Sequence, residues 1–392
     1  LLWTGTLSPS NTAAGGRIGW SVLADAVGRD PGPRPGTGSA RYSCQVGDRA
    51  VDGRRTQPTR NVRSQARQSF AVSERRRGDQ DQCAGDAGRR ALSENLAAGG
   101  QEERNAQYGP YTPGFVEIPH CLEYHNQYGE GDYTKHSLDA IEAVILREGA
   151  DTIGAMVLEP VTAGGGVITP PQGYWEGVQA LCKKYEILLH IDEVVCGVGR
   201  TGTWFGYQQY GIKPDFVTMA KGVASGYAAI SCTVTTEAVF DMFKDAEDHM
   251  GYFRDISTFG GCTAGPAAAI ENMKIIEEEN LLRNTTEMGE YLMGKLGELK
   301  DKHKCVGQAR GKGLFCGLEL VSDRETHTPA DEKMVQAVVG NCMAQGIIIG
   351  ATNRSVPGYN NTLCLSPALI STKDDLDQIT SSMDKAITEV FG

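Results

Sequence analysis

The sequence predicts an α/β protein, a mostly parallel sheet with helices on both faces, followed by a smaller C-terminal α+β unit. Three observations predict it. Short apolar runs of strand length alternate with stretches of helical period between residues 137 and 304. Those runs are apolar throughout rather than alternating, as strands buried on both faces are. After about residue 305 the segments read strand, helix, strand, helix, with their own apolar pattern.

The elements follow in order. Ser137 precedes a helix with Leu138, Ile141 and Ile145 on one face, and Gly149 ends it. Residues 152–161 read as a buried strand. Pro170 and Pro171 open a helix that runs to Tyr185. Residues 186–195, 215–221 and 229–235 read as three more strands. Pro266 starts one long helical stretch to about Lys304, with Met288, Leu292, Leu296 and Leu299 at helical spacing. Residues 313–321 then read as a strand. Thr328 reads as the N-cap of a helix with Pro329 at its first position, ending at Gly346. Residues 347–349 form a short strand. Thr372 caps a last helix that turns Leu376, Ile379, Met383, Ile387 and Val390 inward. No internal repeat is visible.

Composition narrows the class. The 392 residues are 40% hydrophobic, with room for two domains or one large one with an appendage. A net charge of −11 argues against nucleic acid or an anionic membrane as partner. No apolar run reaches the length of a membrane span. The 11 cysteines are odd in number and scattered, without a C-x-x-C or a Cys/His cluster at zinc spacing. Reduced thiols in the cytoplasm are expected, with no disulfide framework and no metal. The chain opens Leu1-Leu2-Trp3-Thr4, without Met, basic region or apolar region. The expectation is no signal peptide and a recorded start that is not the biological one.

The chain divides into three parts: 1–97, 98–305 and 306–392. Residues 1–97 hold 15 Arg and no Lys, while 98–392 hold 8 Arg and 15 Lys. The first part nets +6 and the remainder −17. Stretches such as Ser73-Glu74-Arg75-Arg76-Arg77-Gly78 fit neither helix nor strand. A disordered basic arm is one reading. A coding sequence translated out of frame is the preferred one, because a GC-rich gene in the wrong frame yields Arg, Gly, Ala and Ser with almost no Lys.

Three segments carry chemistry. In Leu189-His190-Ile191-Asp192-Glu193 an apolar strand runs into an acidic pair and then a glycine-rich turn. Ligands of open α/β sheets bind at the carboxyl ends of strands, where Asp192 falls. A carboxylate in so apolar a setting needs a cationic partner, and a protonated pyridine nitrogen is one. A structural Asp capping the turn fits the same pattern. In Val217-Thr218-Met219-Ala220-Lys221-Gly222 a single Lys ends a strand among small residues, which leaves room for a flat ring. A partly dry pocket would favour its neutral amine. A strand-end Lys reaching for solvent also fits. In Ser257-Thr258-Phe259-Gly260-Gly261, a hydroxyl and free amides ahead of a helix suit a phosphate, or a plain N-cap loop.

Taken together, LHIDEVVCGVGRTG, PDFVTMAKGVASGY and STFGGCTAGP resemble the class III aminotransferases of the fold-type I pyridoxal-phosphate enzymes. The resemblance covers residues 98–392. It implies pyridoxal 5'-phosphate as cofactor and a large cofactor-binding domain followed by a small one. It implies that Lys221 is the Schiff-base lysine and proton shuttle, and that Asp192 partners the ring nitrogen. It implies that Val194 packs under the ring. Thr258 matches the threonine that reaches the cofactor phosphate of the neighbouring subunit, so a homodimer or dimer of dimers is expected. Glu159 matches an acidic residue near the site, or is a structural strand-end Glu.

Two departures from the family pattern matter. The phosphate-cradling Gly/Ser loop and the ring-stacking aromatic belong upstream of Leu96 and are absent there; Gly36-Thr37-Gly38-Ser39-Ala40 imitates the loop too far upstream. Many relatives acting on α-amino acids carry Arg where this chain has Cys364. Without that bidentate clamp, a donor lacking an α-carboxylate is expected. Arg354 is then the candidate anion binder, or a surface loop Arg. The expected reaction passes an amino group from an ω-amine, taurine first, to the keto-acid pyruvate. Alternatives are β-alanine or 4-aminobutyrate as donor, a mutase or decarboxylase, or an inactive product without a complete cofactor pocket.

Overall fold

The structure is a computed structural model that describes residues 114–244, 253, 257–352 and 359–392, together with two short strands before them. The large sheet has seven strands: β1 (Leu2–Trp3), β2 (Arg90–Ser93), β3 (Phe115–Glu117), β4 (Ile153–Leu158), β5 (Leu188–Asp192), β6 (Phe216–Met219) and β7 (Cys232–Thr235). Their order is β1-β7-β6-β5-β4-β2-β3. Strands β2 to β6 pair in parallel, and β7 runs antiparallel to β6. Strands β1 and β2 come from the segment that composition sets apart.

Helices α1 (Tyr133–Glu148), α2 (Tyr174–Lys184), α3 (Glu237–Lys244) and α4 (Ala264–Glu278) cover the sheet. Alternation along each strand decides which face each residue joins. Met156, Leu158, Leu189, Ile191, Val217 and Met219 share a core with residues of α1, α2 and α4. Ala155, Leu188 and Phe216, one residue out of step, pack instead with Val239 and Met242 of α3. Both faces are dry, which is why these strands read as continuous apolar runs.

The C-terminal unit has its own core. Met288, Leu292, Leu296 and Leu299 of α5 (Leu281–Lys302) pack into it, so this helix belongs by burial to the second unit. Around it lie β8 (Val306–Lys312), β9 (Phe315–Asp323), β10 (Thr328–Pro329), α6 (Glu332–Ala344), β11 (Gly350–Ala351), β12 (Thr362–Leu365) and α7 (Lys373–Phe391). All pairings in this five-stranded sheet are antiparallel.

Several local expectations are corrected. The long helix from Pro266 to Lys304 is two helices, because Asn280 adopts left-handed φ of +53° between them. Thr328 and Pro329 form a short edge strand on β9. The cap of α6 is Asp331, whose carboxylate accepts from the Lys333 amide at 2.7 Å. Likewise α1 begins earlier, at the Asp132 cap, and Ser137 lies buried inside it. The short strand expected at 347–349 falls at Gly350–Ala351. Gly149 does end α1, with φ of +85°, and Thr372 forms a capping box with Asp375.

A buried charge cluster ties the two units together. Arg310 of β8 is 4% exposed and Glu319 of β9 is 1% exposed. Arg310 donates to Glu319, to Gln308 at 2.7 Å, to Thr362 at 3.1 Å and to the Gly166 carbonyl at 2.9 Å. Glu319 also accepts from Asn361 at 3.2 Å and pairs with His125. Burial alone would raise the Glu319 carboxyl, but the His125 hydrogen bond and the Arg310 charge outweigh it and hold it at about 2. That stability is present above the unfolded carboxylate pKa and is lost as pH falls through about 2. Glu319→Gln leaves Arg310 without its counter-charge and is expected to cost roughly 3–5 kcal/mol in urea unfolding. A loss within error of zero contradicts this assignment.

Candidate active site

Strands β5 and β6 are neighbours in parallel register, with Asp192 opposite Thr218. Their carboxyl ends therefore lie side by side, and the two chemistry-bearing segments leave the sheet at one edge. Asp192 is half-buried. One of its oxygens, Oδ1, accepts from the Val194 amide at 2.9 Å, and no described residue engages the other. Val194 is half-buried in the turn that follows.

That turn is anchored by Glu193, which is 1% exposed. Its carboxylate accepts from the amides of Gly206 at 2.9 Å and Tyr207 at 2.7 Å. Burial pushes its carboxyl up to about 7 against the pull of these two amides. Gly197 must be glycine, since a Cβ there would lie 2.7 Å from the Glu193 carbonyl oxygen. Val198 then adopts φ of +57°, an unusual conformation for a β-branched residue. Its side chain meets the other turn: a Cβ on Gly222 would lie 3.3 Å from Val198 Cβ. The segments after β5 and β6 thus touch directly.

Lys221 follows β6 by two residues and has φ of +40°. Such strain in a non-glycine residue is characteristic of functional positions. The expected partly dry setting is corrected: Lys221 is exposed. The strand ends at buried Met219, and small neighbours (Ala220, Gly222, Ser225 and Gly226) leave the stem uncovered. Among the described residues its ammonium has no partner. The Asn272 side chain of α4 donates to the Gly222 carbonyl at 2.8 Å and the Val223 carbonyl at 3.2 Å.

Beneath Asp192 lies a polar relay that sequence reasoning missed. His190 is two residues back and so on the same sheet face. Its Nε2 is 2.7 Å from Thr218 Oγ1, which is 3.4 Å from Thr233 Oγ1. Burial lowers the imidazole to about 4, with the Asp192 charge pulling the other way. The signal available in the sequence was a polar residue inside an apolar strand.

The other expected site residues divide. Glu159 accepts from the Ala163 amide at 3.0 Å, the behaviour of a strand-end Glu that closes a turn. Thr258 is exposed in the turn ahead of α4, where Gly260 donates to the Ser257 carbonyl at 3.1 Å. The N-cap residue Thr263 makes no side-chain cap bond. Arg354 and the Gly36–Ala40 stretch lie outside the described residues. Cys364 packs beside Val161, Val167, Cys196 and Phe315, and burial pushes its thiol up to about 11, with Arg310 pulling the other way. No group of three or more possible metal ligands occurs among the described residues. Nor is any described helix long and apolar enough to cross a membrane.

Every arginine whose side chain is described is engaged. Arg200 is half-buried between the units and donates to the carbonyls of Leu314 and Pro367. Arg310 is consumed by its cluster. Arg324 holds the Lys300 and His303 carbonyls, while Arg147 and Arg283 pair with Glu148 and Glu287 on the surface.

The family model for "Aminotransferase class-III" matches residues 88–387, and the chain belongs to this family. Its fold is that of the fold-type I pyridoxal-phosphate transaminases. An aminotransferase of Bacillus anthracis superposes with a TM-score of 0.74 at 34% identity, over 84% of this chain and 73% of that one. An amine transaminase from an uncultivated Pseudomonas species, solved in its PLP-bound form, gives 0.73 at 29% identity over 84% and 73%. Among curated proteins, the chain is 70% identical over 297 residues to the hypotaurine/taurine–pyruvate aminotransferase of Paracoccus denitrificans. That match covers 76% of this chain and 65% of the relative. It is 64% identical to the taurine–pyruvate aminotransferase of Rhodobacter capsulatus, over 74% of this chain and 64% of that protein. The chain thus spans less than two thirds of the length of these relatives.

The relay under Asp192 makes a pH prediction. His190 is expected to titrate near 4 by NMR, so folding gains stability as pH rises from about 4 to the ordinary imidazole range. A midpoint at or above 6 would contradict the burial described.

Proposed function

We propose that this chain transfers the amino group of taurine, or of its sulfinate analogue hypotaurine, to pyruvate, with pyridoxal phosphate as cofactor. The observation that carries the reading is a pair of groups at adjacent strand ends that no described residue satisfies: the Lys221 ammonium and the second Asp192 oxygen. Both fit the cofactor's chemistry. The free oxygen suits a protonated ring nitrogen, and the amine suits an aldehyde carbon. Pyridoxal phosphate, when bound, supplies the electron sink that makes the donor's carbon acidic. Lys221 anchors it and moves the proton from that carbon. Asp192 keeps the ring nitrogen charged through a charge-assisted hydrogen bond. Val194 offers the apolar contact for a flat ring, and Thr258 offers a hydroxyl for a phosphate on the partner side of a dimer.

Donor choice rests on what the chain lacks. Cys364 cannot clamp an α-carboxylate, and the described arginines are occupied. Arg354 is therefore the proposed anion binder for the donor sulfonate and the keto-acid. The names of the relatives at 55–70% identity support the same donor and acceptor. The composition break favours a second reading, in which the residues ahead of the family match, 1–87, are out of frame and the chain lacks the phosphate loop that would complete the pocket. Reading the gene upstream of codon 97 in all three frames tests it, and no apolar periodicity in any other frame would dismiss it.

The direct assay is alanine formation from pyruvate with taurine, hypotaurine, β-alanine and 4-aminobutyrate as donors. Silence on the first two, with turnover of the others, overturns the donor assignment. Lys221→Ala is expected to reduce turnover by roughly 10²–10⁴-fold. Arg354→Ala is expected to raise KM for taurine and pyruvate by roughly 10- to 100-fold, the value of a charge-assisted hydrogen bond. Unchanged KM values remove Arg354 from the site.

A further inference from the structure

Asn272 lies on a face of α4 that is otherwise closed. Gly265, Ala269 and Ile276, which share that face by helical spacing, are buried. A polar side chain among them is costly unless its hydrogen bonds are satisfied. The Asn272 amide satisfies its donors on two carbonyls, those of Gly222 and Val223, at 2.8 and 3.2 Å. These are the two residues that follow Lys221. On the other side Gly222 is backed by Val198, so the turn is held between α4 and the segment carrying Asp192. Farther along, Gly265 meets the Ala229 carbonyl and Ile230 at ordinary packing distance, a Cβ there lying 3.4 Å from each. Helix α4 therefore grips this loop at two points.

The geometry points to Asn272 as a positioning residue for Lys221: its amide fixes the strained turn from which the amine is aimed. The inference rests on the reading of Lys221 as the cofactor lysine. Because the ammonium has no described partner, only the backbone fixes the direction in which the side chain leaves the turn. A φ of +40° persists only where surrounding structure over-determines it. The two hydrogen bonds supply that determination, and the apolar helix face around them fixes the helix itself.

The test uses the full chain with Asn272→Leu, which keeps size, and Asn272→Asp, which keeps shape but cannot donate. Hydrogen exchange measured without added cofactor is expected to rise by roughly tenfold or more in a peptide spanning 219–226. Exchange in the C-terminal unit is expected to stay unchanged. With pyridoxal phosphate added, the pH midpoint of the visible cofactor band is expected to move. In the same variants kcat falls by on the order of 10²-fold while donor KM changes little. Unchanged exchange at 219–226, or faster exchange spread over the whole chain, overturns the positioning role. Should both variants fail to fold, Asn272→Ser, which shortens the reach of the donor, takes their place under the same criteria. A wild-type protein that shows no cofactor band overturns the reading of Lys221 instead, and the exchange result still decides the anchor.

Discussion

The register between β5 and β6 is the constraint on which the site depends. With Asp192 opposite Thr218, both strands end at one edge and their turns emerge side by side. A slip of one residue would carry Asp192 and His190 together to the other face of the sheet, away from Thr218. Apolar side chains on both faces forbid the slip. Leu189, Ile191, Val217 and Met219 are committed to one core, and Leu188 and Phe216 to the other. The core sets the positions of the groups proposed to react without touching them.

The two turns are then locked by different means. A buried carboxylate, Glu193, holds two backbone amides and so closes the turn after β5. A helix-borne amide, Asn272, holds two carbonyls and closes the turn after β6. Val198 and Gly222 bring the two together. What stays unlocked is the chemistry, an exposed ammonium and one carboxylate oxygen. A bound aromatic cation with an aldehyde would satisfy both at once.

Much of the fold was legible in the sequence because burial on two faces leaves an unambiguous mark. The runs at Ile153–Leu158 and Leu188–Asp192 were readable for that reason, though their ends came out short. Strand ends fall where neighbouring strands stop pairing, which no local pattern records. The break between α4 and α5 escaped because Asn280 sits in a helical apolar rhythm that continues on either side. Thr328-Pro329 carried a valid helix-start signal, but pairing with β9 and the Asp331 cap prevailed. Lys221 and Asp192, the pair proposed for the site, stand out in the sequence as polar residues ending apolar strands. His190, Glu193 and Asn272 do not, since their roles depend on partners 13 to 50 positions away. The Arg310–Glu319–His125 cluster was hidden for the same reason, with His125 194 positions from its carboxylate.

In the proposed function, one particular amine holds the cofactor. Borohydride reduction of the protein mixed with pyridoxal phosphate, followed by peptide mapping, tests it directly. A single phosphopyridoxyl group on Lys221 is expected, which Lys221→Ala abolishes without transfer elsewhere. A stable adduct on another of the chain's lysines, with Lys221 unmodified, would contradict it.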